Sequence, residues 1–158
     1  MEPVLQVARD QIVERVDLRC DLDGLVELEA TSFRNPWTRE MLLTELAGVS
    51  VALAYVVRST DRKQAGYCSC RLIEDELHLN NLAIHPTQRR CGLGRRLLEH
   101  LLGDVFDLGA RRVTLEVRAS NAAALALYDS LAFVRRGLRR DYYTMPVEDA
   151  VILWRSLP

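Results

Sequence analysis

Residues 77–98 read LHLNNLAIHPTQRRCGLGRRLL, and they join a strand, a basic turn with two glycines and an amphipathic helix without a spare residue. Leu77, Leu79, Leu82, Ala83 and Ile84 make an apolar, strand-like segment that Pro86 ends, because proline has no N–H to give a ladder. Gln88, Arg89, Arg90, Cys91, Gly92, Leu93 and Gly94 follow, after which Leu97, Leu98, Leu101, Leu102 and Val105 recur at helical spacing. The helix therefore starts at the glycines. Its first N–H groups and the positive end of its dipole face whatever lies before the turn, and Gly92 and Gly94 allow close approach to the backbone. Arginines at a helix start oppose the dipole, which argues for an anionic partner such as a pyrophosphate. The lysine followed by Ser or Thr of a P-loop is missing, as is the three-glycine dinucleotide fingerprint. Without a partner, the same residues are an ordinary tight connection and a solvated basic first turn.

A second strand-helix unit occupies residues 113–133, VTLEVRASNAAALALYDSLAF. Val113, Leu115 and Val117 alternate with Thr114, Glu116 and Arg118, as in a half-buried strand. Ser120 or Asn121 caps the helix that the alanines and leucines after it favour. Glu116 and Tyr128 thus leave one unit. On the residues alone, Glu116 is either a working carboxylate or part of a solvated face with Thr114 and Arg118. Tyr128 is either a chemical group or part of a core stripe with Leu125 and Leu131.

The remaining chain reads as one α/β domain over residues 1–158, with no repeat, linker or low-complexity tract. Residues 12–19 alternate as a strand, 22–31 and 39–47 form helices, and Thr38 caps the second with Trp37 and Leu42 as a hydrophobic staple. Strands are expected at 51–58 and 65–73, around a polar turn at 59–64, and then in the segment ending at Ile84. A long helix to about Leu108, a strand at 112–118, a helix at 121–131 and strands near 133–139 and 150–155 complete the chain. This is a mixed, largely antiparallel sheet with helices on both faces. At 158 residues, 49% of them hydrophobic, the chain buries one core and has no room for two.

A net charge of −1 with both signs interspersed gives no nucleic-acid or membrane surface. The start, MEPVLQVARD, has no apolar signal core and no segment approaches a membrane span, so a cytoplasmic location is expected. Cys20, Cys68, Cys70 and Cys91 lack paired metal-ligand spacing and read as free thiols, with no metal site. His78 shares a strand face with Glu76 and Asn80 and reads as a satisfied polar position rather than a base or ligand.

These motifs, in this order, resemble the GNAT superfamily of acyl-CoA-dependent N-acetyltransferases, and more narrowly the RimI-type ribosomal-protein N-terminal alanine acetyltransferases. The resemblance runs from Asp21 to Leu153. It includes Asn35, Pro36 and Trp37, a splayed strand at Asn81 to Ile84, a pyrophosphate turn at Arg89 to Gly94, the late motif, and a tail at Arg139 to Tyr143 with Glu148, Asp149 and Ala150. One departure is Ala132, where the family usually has glycine before the phenylalanine.

The resemblance implies a GNAT fold with a splayed parallel strand pair, and acetyl-CoA as cosubstrate without a metal. It assigns Glu116 as the base, acting through water, and Tyr128 as the acid. Backbone groups of Leu82, Ala83 and Ile84 would bind the pantetheine arm, and Arg89, Arg90, Cys91, Gly92, Leu93, Gly94 and Arg95 the pyrophosphate. Asn121 would bind the cofactor, an alternative to capping its helix. Trp37, Tyr142 and Tyr143 would line an acceptor groove, an alternative to ordinary packing. The acceptor would be a protein or peptide N-terminus, such as that of a ribosomal protein, taken by a monomer or weak dimer. Acetylation of a small amine is the runner-up, and a non-catalytic acyl-CoA-binding module the third reading. The two tyrosines and Trp37 suit an extended peptide better than a polyamine.

Overall fold

The computed structural model describes residues 11–47 and 52–158; Val51, the expected first residue of a strand, lies outside them. Elements follow in the order β1 (Ile12–Arg15), α1 (Leu18–Ser32), α2 (Arg39–Leu46), β2 (Ala52–Arg58), β3 (Gln64–Ile73), β4 (Glu76–Ile84), α3 (Leu93–Asp107), β5 (Arg112–Arg118), α4 (Ala122–Ser130), β6 (Val134–Tyr143) and β7 (Glu148–Ser156). One seven-stranded sheet has the order β1-β2-β3-β4-β5-β7-β6. β4 and β5 run parallel and the other neighbours antiparallel. This is the mixed sheet expected from the sequence. α1 and α2 bury Leu25, Leu28 and Leu42 with Tyr67 and Ala83 on one face. On the other, α3 and α4 pack a larger core around Leu97, Leu101, Leu115 and Tyr128.

The first strand is shorter than its alternation predicts, ending at Arg15 rather than residue 19. Asp17 intervenes as an N-cap whose side chain accepts the Arg19 N–H, so Leu18 begins a helix. Conversely, β6 runs on to Tyr143, placing Tyr142 and Tyr143 at a strand end. Pro86–Gln88 adds a short 3₁₀ turn that the periodicity does not reveal. The staple at the second helix forms: Thr38 accepts the Met41 N–H at 3.2 Å, and Trp37 packs in the cluster that holds Leu42.

Two local features shape the cleft described below. β4 pairs with β5 over four residues, Glu76–Leu79 against Arg112–Leu115, and then leaves it. The break follows from a bulge: Ser69 opposes Asn81 and Cys70 opposes Leu79, so Asn80 is an extra residue in β4. An extra residue on one side bends the strand and raises its twist, which carries β4 away from β5. At the end of α4, the Ala132 N–H donates to the Asp129 carbonyl and the Phe133 N–H to the Tyr128 carbonyl, both at 3.0 Å. The Phe133 ring meets Tyr128 edge-on, with centroids 5.4 Å apart. This Schellman cap places Ala132 at φ 63, a left-handed conformation that costs alanine roughly 1–2 kcal/mol and glycine little.

Candidate active site

The opening between β4 and β5 continues into a cleft of about 760 Å³. Its walls are α1 and the loop after it, β4 at 79–82, β5 at 115–118, the start of α4 and the β6–β7 turn. Glu116, Tyr128, Leu82, Asn121, Trp37, Tyr142 and Tyr143 all line it. The sequence candidates for chemistry and acceptor contact thus converge on one cavity, joined by Leu82 and Asn121 from the candidate cofactor set.

Glu116 projects from β5 with its side chain 13% exposed. Its Oε2 lies 3.0 Å from His78 Nε2, and its Oε1 lies 3.5 Å from Arg139 Nε on β6. The parallel register produces the first contact, setting His78 opposite Thr114 and leaving Glu116 one pleat further along. His78 is therefore satisfied, as read from the sequence, but its partner is the candidate base. At 38% exposed, the imidazole links that carboxylate to solvent. Tyr128 is buried, and burial pushes its phenol well above the ordinary tyrosine value. It packs in the core, as one reading of its sequence position has it, and also lines the cleft.

The acceptor side is tied together from two directions. Asn35 Nδ2 donates to the Thr144 carbonyl at 3.2 Å and the Met145 carbonyl at 3.3 Å, joining the α1–α2 loop to the β6–β7 turn. Arg118 donates to the Pro146 carbonyl at 3.1 Å and stacks 4.3 Å from the centre of the Tyr143 ring. Tyr142 and Tyr143 meet edge-on with centroids 5.1 Å apart. Burial, reinforced by Tyr142 and Glu116, pushes Tyr143 up to about 12. Tyr142 is 51% exposed, which leaves its ring available at the rim.

The three backbone positions expected to hold an acyl arm differ. The His85 N–H donates to Ala65 of β3, so strand alternation turns Ala83 toward β3 and Leu82 and Ile84 toward the opening. Ala83 is thereby committed to the ladder. The Leu82 N–H donates to Asn81 Oδ1 at 3.0 Å, and the Ile84 carbonyl accepts from Arg89 Nε at 3.0 Å. The Leu82 carbonyl and Ile84 N–H face the opening. Asn121 does cap α4, accepting the Ala124 N–H at 3.1 Å, so a ligand contact falls to its Nδ2.

None of residues 83–95 lines the cleft itself. Gly92 caps α3 at φ 80 without a side-chain hydrogen bond, and a Cβ built on it meets nothing within 4 Å. Arg96 makes the first intrahelical bond, to the Gly92 carbonyl, so the amides of Leu93, Gly94 and Arg95 precede the ladder and face outward. This open cradle fits an anion. Gly94 serves packing as well: a Cβ there lies 3.1 Å from Leu127 Cδ2, so glycine lets α3 approach α4. Arg89, Arg90 and Cys91 are exposed, and Leu93 is buried, leaving only its backbone to a ligand. The Arg95 guanidinium pairs with Glu99 at 3.2 Å and Ser130 Oγ at 2.5 Å along the helices, while its backbone amide belongs to the cradle.

The sequence reading missed Glu29. This residue of α1 is 0% exposed, lines the cleft, and accepts the Trp37 N–H through Oε2 at 2.8 Å. Its spacing carried a signal: Leu25, Leu28 and Glu29 fall at i, i+3 and i+4, on one helix face. Among the described residues, no group of three His, Cys, Asp or Glu side chains is arranged to hold a metal ion. All four cysteines are free thiols. Also among the described residues, no helix is long and apolar enough to cross a membrane.

Residues 22–133 match the model of the acetyltransferase (GNAT) family. The chain is 38% identical over 137 residues to a putative ribosomal protein bS18-alanine N-acetyltransferase of Bacillus subtilis, covering 87% of this chain and 90% of that protein. It is 37% identical over 135 residues to the ribosomal protein bS18-alanine N-acetyltransferase of Escherichia coli K12, covering 84% and 89%. The crystal structure of the ribosomal-protein-S18-alanine N-acetyltransferase from Escherichia coli superposes with a TM-score of 0.85 at 34% identity, covering 92% of this chain and 93% of that one.

Proposed function

The chain belongs to the GNAT acetyltransferase family, and from that premise we propose that it is an acetyl-CoA-dependent Nα-acetyltransferase acting on the N-terminal alanine of a ribosomal protein. The observation that carries the reading is the single cleft in which Glu116, Tyr128 and the aromatic acceptor wall meet at the strand opening. The family supplies the acetyl transfer; the names of the relatives support the acceptor, and a ribosomal acceptor goes with a cytoplasmic place of action.

Attack on a thioester needs a neutral amine, donors for the oxyanion and a proton for the departing thiolate. Glu116 takes the amine's proton, through water, and His78 gives that carboxylate an outlet to solvent. Tyr128 returns a proton to the thiolate. Burial makes its phenol a weaker acid than at the surface, but the same surroundings raise the thiol it serves. One anion becomes another in the transfer, so the desolvation terms largely cancel. The outward amides at the start of α3 hold the pyrophosphate, with Arg89 and Arg90 adding positive charge.

A pH profile reads the Tyr128 role. Because its folded value is raised, the phenol keeps its proton to higher pH than an exposed tyrosine, whose value is about 10. kcat should therefore rise as the amine deprotonates and stay flat to about pH 10, and Tyr128→Phe should lower it by roughly 10²-fold or more with acetyl-CoA affinity retained. An alkaline limb starting near pH 8 in the wild type, or full turnover in Tyr128→Phe, contradicts the assignment. The acceptor is tested by offering acetyl-CoA with N-terminal peptides, polyamines and aminoglycosides. Transfer to alanine-starting peptides is expected, and activity confined to the small amines overturns the reading.

A further inference from the structure

The buried carboxylate of Glu29 has no role in the proton transfers above, yet it touches both walls of the cleft. Oε2 accepts the Trp37 N–H at 2.8 Å, on the acceptor side. Oε1 accepts the Tyr67 hydroxyl and Asn81 Nδ2. Asn81 Nδ2 also donates to the Tyr67 oxygen at 3.0 Å, closing a three-membered ring of hydrogen bonds. With its amide nitrogen committed to those two acceptors, Asn81 presents Oδ1 to the Leu82 N–H, 3.0 Å away, at the bulge where β4 leaves β5. Desolvation also raises the Glu29 carboxyl above the ordinary glutamate value, and the hydrogen bonds from Tyr67, Trp37 and Asn81 work against that.

We propose that Glu29 is a positioning residue: by accepting from Trp37 and Asn81 together, it sets the acceptor wall and the strand edge at the opening relative to one another. The proposal rests on the acetyltransferase reading of the cleft. It follows from counting donors. Glutamine at 29 has one acceptor oxygen where glutamate uses two, Oε1 within the ring and Oε2 for the Trp37 N–H. If that oxygen serves Trp37, the glutamine NH₂ faces Asn81 Nδ2, donor against donor. If Asn81 turns to relieve this, its NH₂ faces the Leu82 N–H instead. Each arrangement strands a donor on a residue that lines the cleft. Asn81→Asp alone makes the opposite error, setting two carboxylates together. The pair Glu29→Gln with Asn81→Asp restores the match, since the glutamine NH₂ donates to aspartate while the other aspartate oxygen accepts from Leu82.

The test is the double-mutant cycle, read as kcat and KM with the amine the wild type acetylates best, alongside calorimetric coenzyme A affinity and thermal melts. Glu29→Gln and Asn81→Asp should each lower kcat about 10–100-fold, as small misplacements of reacting groups do, with coenzyme A affinity within about threefold. The double variant should recover at least tenfold over either single one. A merely structural role predicts lower melting temperatures with kcat per folded molecule unchanged, and that result overturns the proposal, as does a double variant no better than its parents. Where one single variant fails to fold, the other is the leg compared with the double. Because the ratios use whichever amine is accepted, a wild type inert toward peptide N-termini counts against the acceptor reading and leaves the Glu29 comparison intact.

Discussion

Glu116→Gln is expected to lower turnover by about 10²–10⁴-fold while leaving acetyl-CoA affinity nearly unchanged. Glutamine keeps the volume and an acceptor for Arg139, which lies 3.5 Å from Glu116 Oε1, so the fold has no reason to fail. It loses the capacity to take a proton. It also removes the carboxylate that meets His78 at 3.0 Å, and with it the proposed proton outlet. Steady-state kinetics with calorimetry separates the outcomes. A variant of normal stability and near-normal turnover returns Glu116 to a solvated strand face and removes it from the mechanism.

Gly92→Val is expected to weaken coenzyme A binding by at least about 100-fold, equivalent to ~2.7 kcal/mol. A Cβ at this position has nothing within 4 Å, so the valine branch is expected to take up open space beside the outward amides. The φ of 80 adds roughly 1–2 kcal/mol of backbone strain for any L side chain, which a melt measures independently. Gly94→Ala is the contrasting change, since its methyl meets Leu127 and its cost falls on the packing of α3 against α4. Calorimetry showing wild-type affinity in folded Gly92→Val removes the pyrophosphate from this turn.

The parts of the site that were legible in the chain are those written in local periodicity. The strand-turn-helix units around Gly92 and Asn121 show because apolar spacing switches between two and three to four residues at a glycine or a cap. Ala132 shows as a departure and proves to sit in the left-handed region the turn requires. What escaped depends on contacts between distant segments. His78 meets Glu116 through the register of two strands 38 residues apart, which no local pattern encodes. Glu29 shares a helix face with Leu25 and Leu28, but only the fold brings Tyr67, Asn81 and the Trp37 amide to it. Alternation carries the expected first strand to residue 19, whereas Asp17 caps a helix that begins at Leu18.

The amine we propose to be acetylated is a protein N-terminus. At pH 7 an α-amine of pKa near 7.8 is about one-seventh neutral, whereas a lysine of pKa near 10.4 is neutral in fewer than about one molecule in a thousand. One glutamate working through water deprotonates the first far more readily. The aromatic rim formed by Trp37, Tyr142 and Tyr143 suits a narrow extended chain. Mass spectrometry after reaction of acetyl-CoA with a peptide that begins with alanine and carries an internal lysine tests this directly. The account predicts one acetyl group on the alanine amine and little on the lysine; preferential labelling of the lysine contradicts it.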